Sequence, residues 1–119
     1  MSGRLTTHVL DTAQGCPATG LAIELWQIDR DGMRTLLKTV RTNADGRTDG
    51  PLLAGDDLAA GTYELVFAVG AYFAGQPVAT SSPPFLDRVP VCFTIADPTA
   101  HYHVPLLASP WAYSTYRGS

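Results

Sequence analysis

Two histidines one residue apart open the last nineteen residues, and their side chains are well suited to chemistry. His101 and His103 point to the same face if Tyr102 lies in a strand. Imidazole has an unperturbed pKa close to physiological pH, so a strand histidine can act as a general acid or a general base. A His-x-His pair with this geometry can also hold a metal ion. The spacing alone leaves both kinds of site open.

Ligands for a metal are scarce around this pair. His8 could be a third ligand and Cys16 or Cys92 a remote fourth, but neither cysteine has ligand spacing. No Asp or Glu occurs between residues 101 and 119. We therefore favour proton transfer over metal binding, and we expect no metal and no other cofactor.

His8 and Arg47 are further candidates, although each has a simple structural explanation. His8 lies in a strand-like segment and shares a face with Thr6 and Leu10, as a half-buried strand histidine would. Arg47 directly follows a turn at 43–46 and could be a solvated turn residue. A guanidinium at such a loop can also grip a planar anion through two parallel hydrogen bonds. Taken alone, the structural explanation is the stronger one for both.

The chain ends in Tyr116-Arg117-Gly118-Ser119. The residues just before this ending are unusually aromatic and apolar for a chain terminus. Such an end is either unstructured or held in a site with the Ser119 hydroxyl and terminal carboxylate fixed. Serine-nucleophile catalysis has no support, because no Gly-x-Ser-x-Gly elbow occurs. The sequence also has no glycine-rich phosphate loop or dinucleotide fingerprint.

Strand patterns dominate the chain and must position these residues. Residues 21–28 alternate well, with Leu21, Ile23 and Leu25 on one face, and turns follow at 29–32 and 43–46. Many short strands with regular turns predict a β-sandwich. The last strand, 112–116, is apolar and suits pairing with another subunit better than facing water. We expect strands at 5–10, 21–28, 33–42, 61–69, 89–96, 101–108 and 111–116, a short strand near 51–53, and one helical turn at 70–75.

Composition limits the class of protein. A length of 119 residues predicts one domain, 1–119. Hydrophobic residues make up 45% of the chain and charged residues 16%, which is typical of a protein that forms an apolar core. A net charge of −3 with one lysine argues against nucleic acid, and the apolar runs are too short to span a membrane. No secretory signal opens the sequence. The two cysteines lie far apart, so we expect free thiols in a reducing compartment, the cytoplasm.

Several segments together resemble the transthyretin-like family, and the match runs over essentially the whole chain. The Tyr-Arg-Gly-Ser ending and the histidine pattern are similar to one branch of that family, the 5-hydroxyisourate hydrolases of urate breakdown. Transthyretin itself, a hormone carrier, lacks both features. The segments that carry the resemblance are 5–12 with 15–18, 46–52, and 101–107 with 113–119.

The resemblance implies an all-β, transthyretin-like sandwich of two four-stranded sheets with one short helix. It also implies a homotetramer, a dimer of dimers, in which the last strands extend sheets between subunits. Active sites would lie at the mouths of a central channel, with two subunits building each site. The implied site residues are His8, Arg47, His103, Tyr116, Arg117, Gly118 and Ser119; the resemblance leaves the role of His101 open.

The implied reaction is the addition of water to the C6 carbonyl of 5-hydroxyisourate. Our hypothesis gives His103, helped by Ser119, the deprotonation of water, and gives Arg47 the developing negative charge. His8 positions the substrate or carries the proton to the leaving nitrogen. The substrate contacts would come from His8, Arg47 and 116–118.

Three other classes compete with a hydrolase. A transthyretin-like carrier of a small aromatic ligand would need an apolar channel, whereas His8, Arg47 and His103 are polar and titratable. A purely structural sandwich leaves the separated matching segments unexplained. A metal-binding, cupin-like protein lacks carboxylates near the His-x-His pair.

Overall fold

The structure is a computed structural model that describes residues 3–118, and within this range it is built almost entirely of short strands. None of the helices there is long and apolar enough to cross a membrane. The strands are β1 Arg4–Thr6, β2 Val9–Asp11, β3 Cys16–Pro17, β4 Ala22–Ile28, β5 Arg34–Arg41, β6 Leu53–Ala54, β7 Gly61–Phe67, β8 Val89–Ile95, β9 His101–His103, β10 Leu106–Ala108 and β11 Tyr113–Thr115; the helices are a 3-10 turn, Gly55–Asp57, and α1, Val69–Ala74.

One layer is a four-stranded antiparallel sheet in the order β5-β4-β7-β8. Its inward face follows the predicted alternation, because Leu21, Ile23 and Leu25 are fully buried. The strand predicted to run to residue 69 ends at Phe67, and α1 takes over at Val69. Val69 is buried as the first residue of the helix, and not as the end of the predicted strand.

The opposite layer carries the site, and it is split into two pieces. β1 pairs in parallel with β9, and β2 pairs in parallel with β10. The first piece has the order β6-β1-β9 and the second β11-β10-β2-β3. We expected one continuous four-stranded sheet here. The resemblance correctly predicts two layers of strands and one short helix, but not this division.

The division has a local cause at Thr7–His8 and Val104–Pro105, where both predicted long strands break. Pro105 has no N–H to donate to a neighbouring strand. The Thr7 hydroxyl instead donates to the Val104 carbonyl at 2.7 Å, and the His8 carbonyl accepts from the Leu106 N–H at 2.9 Å. These hydrogen bonds connect the two chain segments across the break. His8 therefore lies between β1 and β2, outside both strands.

A single apolar core fills the space between the layers. Leu5 and Val9 from one layer meet Ile23, Leu65 and Phe67 from the other, and all five are fully buried. Both cysteines of the sequence are exposed and unpaired, as predicted. Rigid packing of the core fixes where the polar faces of β1 and β9 lie.

Candidate active site

A cavity of about 420 Å³ opens on the outer face of the split layer. The polar faces of β1 and β9 form one wall, and the segment after the 43–46 turn forms another. Its lining is cationic and hydroxyl-rich, with no carboxylate among the lining residues. These residues are Arg4, Thr6, Thr7, Arg47, Thr48, Gly50, His101 and His103.

His8 and Arg47 meet through an antiparallel β-bridge, so the structure brings these two candidates together. The His8 ring donates from Nε2 to the Asp45 carbonyl at 2.8 Å, because a carbonyl can only accept. In the neutral ring this leaves Nδ1 as the nitrogen with a lone pair. His8 is half-buried, and its tautomer is set by the same turn that carries Arg47.

The predicted turn at 43–46 holds Arg47 in place through an Asn side chain. Asn43 Oδ1 accepts from the Asp45 N–H at 2.9 Å and from the Arg47 N–H at 3.2 Å. Gly46 has a φ of +75°, and a Cβ there would lie 2.4 Å from the Val9 carbonyl oxygen. Only glycine suits this position.

His101 and His103 share one face of β9, as the His-x-His spacing predicted, while Tyr102 is buried behind them. The parallel register sets Thr6 of β1 opposite His103 and Arg4 opposite His101. The Thr6 hydroxyl oxygen lies 2.8 Å from His103 Nδ1 and 3.2 Å from His101 Nε2. One hydroxyl therefore joins the two imidazoles.

Partial burial lowers the pKa of His103, and the positive charges of Arg47, His8 and His101 lower it further. Both effects favour the neutral form of the ring. A neutral imidazole has a lone pair with which to accept a proton, as a general base requires.

The C-terminal segment folds back onto His103. A β-bridge joins His103 to Gly118, whose N–H donates to the His103 carbonyl at 2.7 Å. A Cβ on Gly118 would lie 2.7 Å from His103 Cδ2, so this close approach needs glycine. Ser119, a predicted site residue, lies outside the described residues.

Tyr116 and Arg117 do not line this cavity. They line a second, mostly apolar cavity of about 220 Å³ beside Val91, Phe93 and Tyr102. The Arg117 guanidinium stacks on the Tyr102 ring, with 4.1 Å from its central carbon to the ring centroid. Their predicted role as substrate contacts stays a prediction.

Sequence reasoning missed Arg4 and Thr6 as lining residues. The available signal was the strand period, since positions 4, 6 and 8 share a face. Pairing with β9 was not readable, because the two strands lie about a hundred residues apart in the chain. As to metal, no group of three or more His, Cys, Asp or Glu side chains within residues 3–118 is arranged to hold an ion.

The fold and the site together define a class, a two-layer β-sandwich with a histidine- and arginine-lined cavity on one face. Residues 5–118 match the HIUase/Transthyretin family. The chain belongs to this family.

Individual relatives agree with this. The chain is 60% identical to the 5-hydroxyisourate hydrolase 2 of Rhizobium meliloti (strain 1021), over 99% of this chain and 98% of that protein. It superposes on the structure of Klebsiella pneumoniae 5-hydroxyisourate hydrolase with a TM-score of 0.79 and 36% identity, covering all of both chains. It also superposes on an (S)-allantoin synthase with a TM-score of 0.93 and 49% identity, covering 99% of this chain but only 44% of that longer one.

Proposed function

We propose that this chain hydrolyses 5-hydroxyisourate to 2-oxo-4-hydroxy-4-carboxy-5-ureidoimidazoline, as a step of urate breakdown. The observation that carries the proposal is a cavity with His103 on one wall and Arg47 on the other, with His8 bridged to Arg47. The relative that is 60% identical, over 98% of its length, is named for this activity. The substrate is a small planar molecule, and a cavity of about 420 Å³ can admit it.

In the proposed mechanism His103 accepts a proton from water through Nε2. The hydroxide adds to the C6 carbonyl, and negative charge develops on the carbonyl oxygen. Arg47 stabilises that charge, because a guanidinium presents a planar fork of N–H donors. Ser119 would assist His103 as the base, as the family resemblance implies.

Collapse of the tetrahedral intermediate breaks the N1–C6 bond. N1 leaves with a proton, and C6 becomes the carboxylate of the product. His8, with Nε2 occupied by the Asp45 carbonyl, uses the lone pair of Nδ1 to hold the substrate, or takes up there the proton that His103 removed from water and passes it to N1. The remaining proton of the new carboxyl group is released to water. Water is the only co-reactant that the step consumes.

We also propose that the protein is a cytoplasmic homotetramer, a dimer of dimers, in which 1–119 forms one domain. Tyr116, Arg117 and Gly118 would then help to build a site shared between two subunits. Support comes from the exposure of Trp111, Tyr113 and Tyr116, which are large and apolar for a free surface. Exposed, unpaired cysteines agree with a reducing compartment.

The test follows 5-hydroxyisourate by ultraviolet absorbance after it is made in place from urate by urate oxidase. We expect decay much faster than the spontaneous rate, and His103→Ala should slow the catalysed rate about 10²–10⁴-fold. Circular dichroism and the solution mass of the variant should be unchanged. Decay at the background rate from folded wild type would contradict the proposal and favour a carrier of a small ligand.

A further inference from the structure

The Thr6 hydroxyl lies between two imidazole nitrogens, and no role follows for it from the mechanism above. Its oxygen is 2.8 Å from His103 Nδ1 and 3.2 Å from His101 Nε2. Within residues 3–118 these are its only side-chain hydrogen-bond partners, and its neighbour Thr7 bonds a backbone carbonyl instead. The Thr6 hydroxyl thus forms side-chain hydrogen bonds with these two histidines and with no other described residue.

Counting protons limits how the three groups can pair. A hydroxyl has one proton to donate and lone pairs to accept with, so Thr6 cannot donate to both rings. If the hydroxyl accepted from both rings, its own proton would have no side-chain partner among residues 3–118. Two arrangements remain in which that proton is donated to a ring. In one, Thr6 accepts from His103 Nδ1–H and donates to His101 Nε2; in the other, the directions are reversed.

Only the first arrangement makes His103 a base. With the proton on Nδ1, a neutral His103 carries its lone pair on Nε2. No residue between 3 and 118 forms a hydrogen bond with that nitrogen, so it is available to water. The reversed arrangement places the proton on Nε2 and the lone pair against Thr6, where it cannot act on substrate. The 2.8 Å contact to His103 is also the shorter of the two.

We propose that Thr6 is a positioning residue that fixes the tautomer of His103, and that His101 is the acceptor that orients the Thr6 hydroxyl. This inference rests on the proposed hydrolase function. When His103 takes a proton on Nε2, its Nδ1–H bond to Thr6 becomes charge-assisted and strengthens. The proton of the Thr6 hydroxyl stays on Thr6 throughout.

The kinetic test compares Thr6→Val, which keeps the shape but loses the hydroxyl, with Thr6→Ser, which keeps the hydroxyl. We expect Thr6→Val to lower kcat roughly 10- to 100-fold, the worth of one hydrogen bond to a charged group, with little change in KM. Thr6→Ser should stay within a few-fold of wild type. Thr12→Val is the matched control, because its hydroxyl donates to the Ala108 carbonyl at 3.1 Å, away from the cavity.

A substrate-free test reads the tautomers directly. The sequence has only three histidines, so ¹⁵N-histidine labelling and two-bond ¹⁵N–¹H spectra resolve each ring. In wild type at a pH where the rings are neutral, we expect protonated Nδ1 and bare Nε2 in both His103 and His101. Thr6→Val should leave His103 in a mixture of tautomers.

Two results would overturn the inference: a wild-type His103 protonated on Nε2, or a folded Thr6→Val that keeps the wild-type kcat. A failure of the hydrolase function itself looks different. Wild type would then be inactive on 5-hydroxyisourate, while the spectra would still decide whether Thr6 fixes the tautomer. The wild-type spectra also decide the question if Thr6→Val does not fold.

Discussion

At the scale of single residues, the neighbours of His103 lower the pKa of its ring. Burial removes part of the water that would stabilise its charged form, and Arg47 adds a positive charge nearby. Both lower the pKa of the ring below its ordinary value, and the Thr6 hydroxyl faces its Nδ1. In the proposed mechanism Arg47 would therefore act twice, on the substrate oxygen and on the pKa of the base.

These two effects can be separated by replacing Arg47 with Met. Loss of the guanidinium should lower kcat/KM about 10²–10³-fold, because the oxyanion loses the positive charge that stabilises it. It should also raise the pKa of His103. Because the base works only when unprotonated, the rate falls as pH drops through this pKa, and the acid limb of the pH–rate profile should move to higher pH in the variant.

The matched control for that profile is Arg34→Met, which removes the same charge from the other sheet. Arg34 pairs with Glu64 at 2.5 Å and touches no residue of the cavity lining. The acid limb of the Arg34→Met profile should coincide with that of wild type. An Arg47→Met profile whose acid limb stays at the wild-type pH would show that Arg47 does not control the charge of the base.

At the scale of elements, a buried carboxylate ties α1 to the strand next to His8. Asp11 at the end of β2 accepts from the Tyr72 hydroxyl at 2.8 Å and from Gln14, both through its backbone N–H at 2.9 Å and through its side chain at 2.7 Å. Burial alone would raise the pKa of Asp11, but these hydrogen bonds outweigh it and hold the pKa below the ordinary value. Burial and Asp11 together raise the pKa of Tyr72. The helix is thus fixed to the layer that carries the site.

Tyr72→Phe should lower the free energy of unfolding by about 1.5–3 kcal/mol at pH 7, since a charged acceptor loses its donor. Tyr63→Phe is the control, because that hydroxyl donates to the neutral Ala59 carbonyl at 2.8 Å and should cost only about 0.5–1.5 kcal/mol. Urea unfolding measures both. Equal losses in the two variants would contradict a special role for the carboxylate.

The same network has a defined pH dependence. A carboxyl whose pKa is lowered by folding contributes stability above its unfolded pKa, and that contribution is lost as pH falls through the folded value. Asp11 is such a group. The difference between wild type and Tyr72→Phe should therefore shrink as the solution is acidified below the ordinary carboxyl pKa.

At the scale of the whole molecule, apolar surface gathers along the C-terminal segment. Trp111 is 54% exposed, Tyr113 45% and Tyr116 59%, and β11 is an edge strand of its sheet. Phe85 stacks against Trp111 with 6.0 Å between ring centroids and is itself 67% exposed. An edge strand with this composition is suited to pairing with another subunit.

Tyr113→Glu should weaken the tetramer, because a buried carboxylate without a partner is costly at an apolar interface. We expect a smaller mass by light scattering and a fall in hydrolase activity, since two subunits are proposed to build each site. Met33→Glu places the same charge on a 65% exposed residue of the β4–β5 hairpin and should change neither. A tetrameric Tyr113→Glu would contradict the proposed interface.

Much of the fold could be predicted from local pattern, and the site only in part. The alternation at 21–28 and the turn residues at 43–46 are local features, and the structure confirms both. The short helix at 70–75 was also predicted, one residue late at its start. The continuous strand 5–10 was wrong, because it breaks at Thr7–His8 opposite Pro105, which has no N–H to donate and lies almost a hundred positions away in the chain.

Within the candidate site, local pattern was enough to predict which histidines share a face. His101 and His103 lie together on β9, because successive residues of a strand alternate between faces. The meeting of Thr6 with both histidines could not be predicted in this way. The contacts of Thr6 join residues 95 and 97 positions apart, through a parallel register that no local pattern encodes. That register follows from how the core packs the two layers, and packing depends on the whole chain at once.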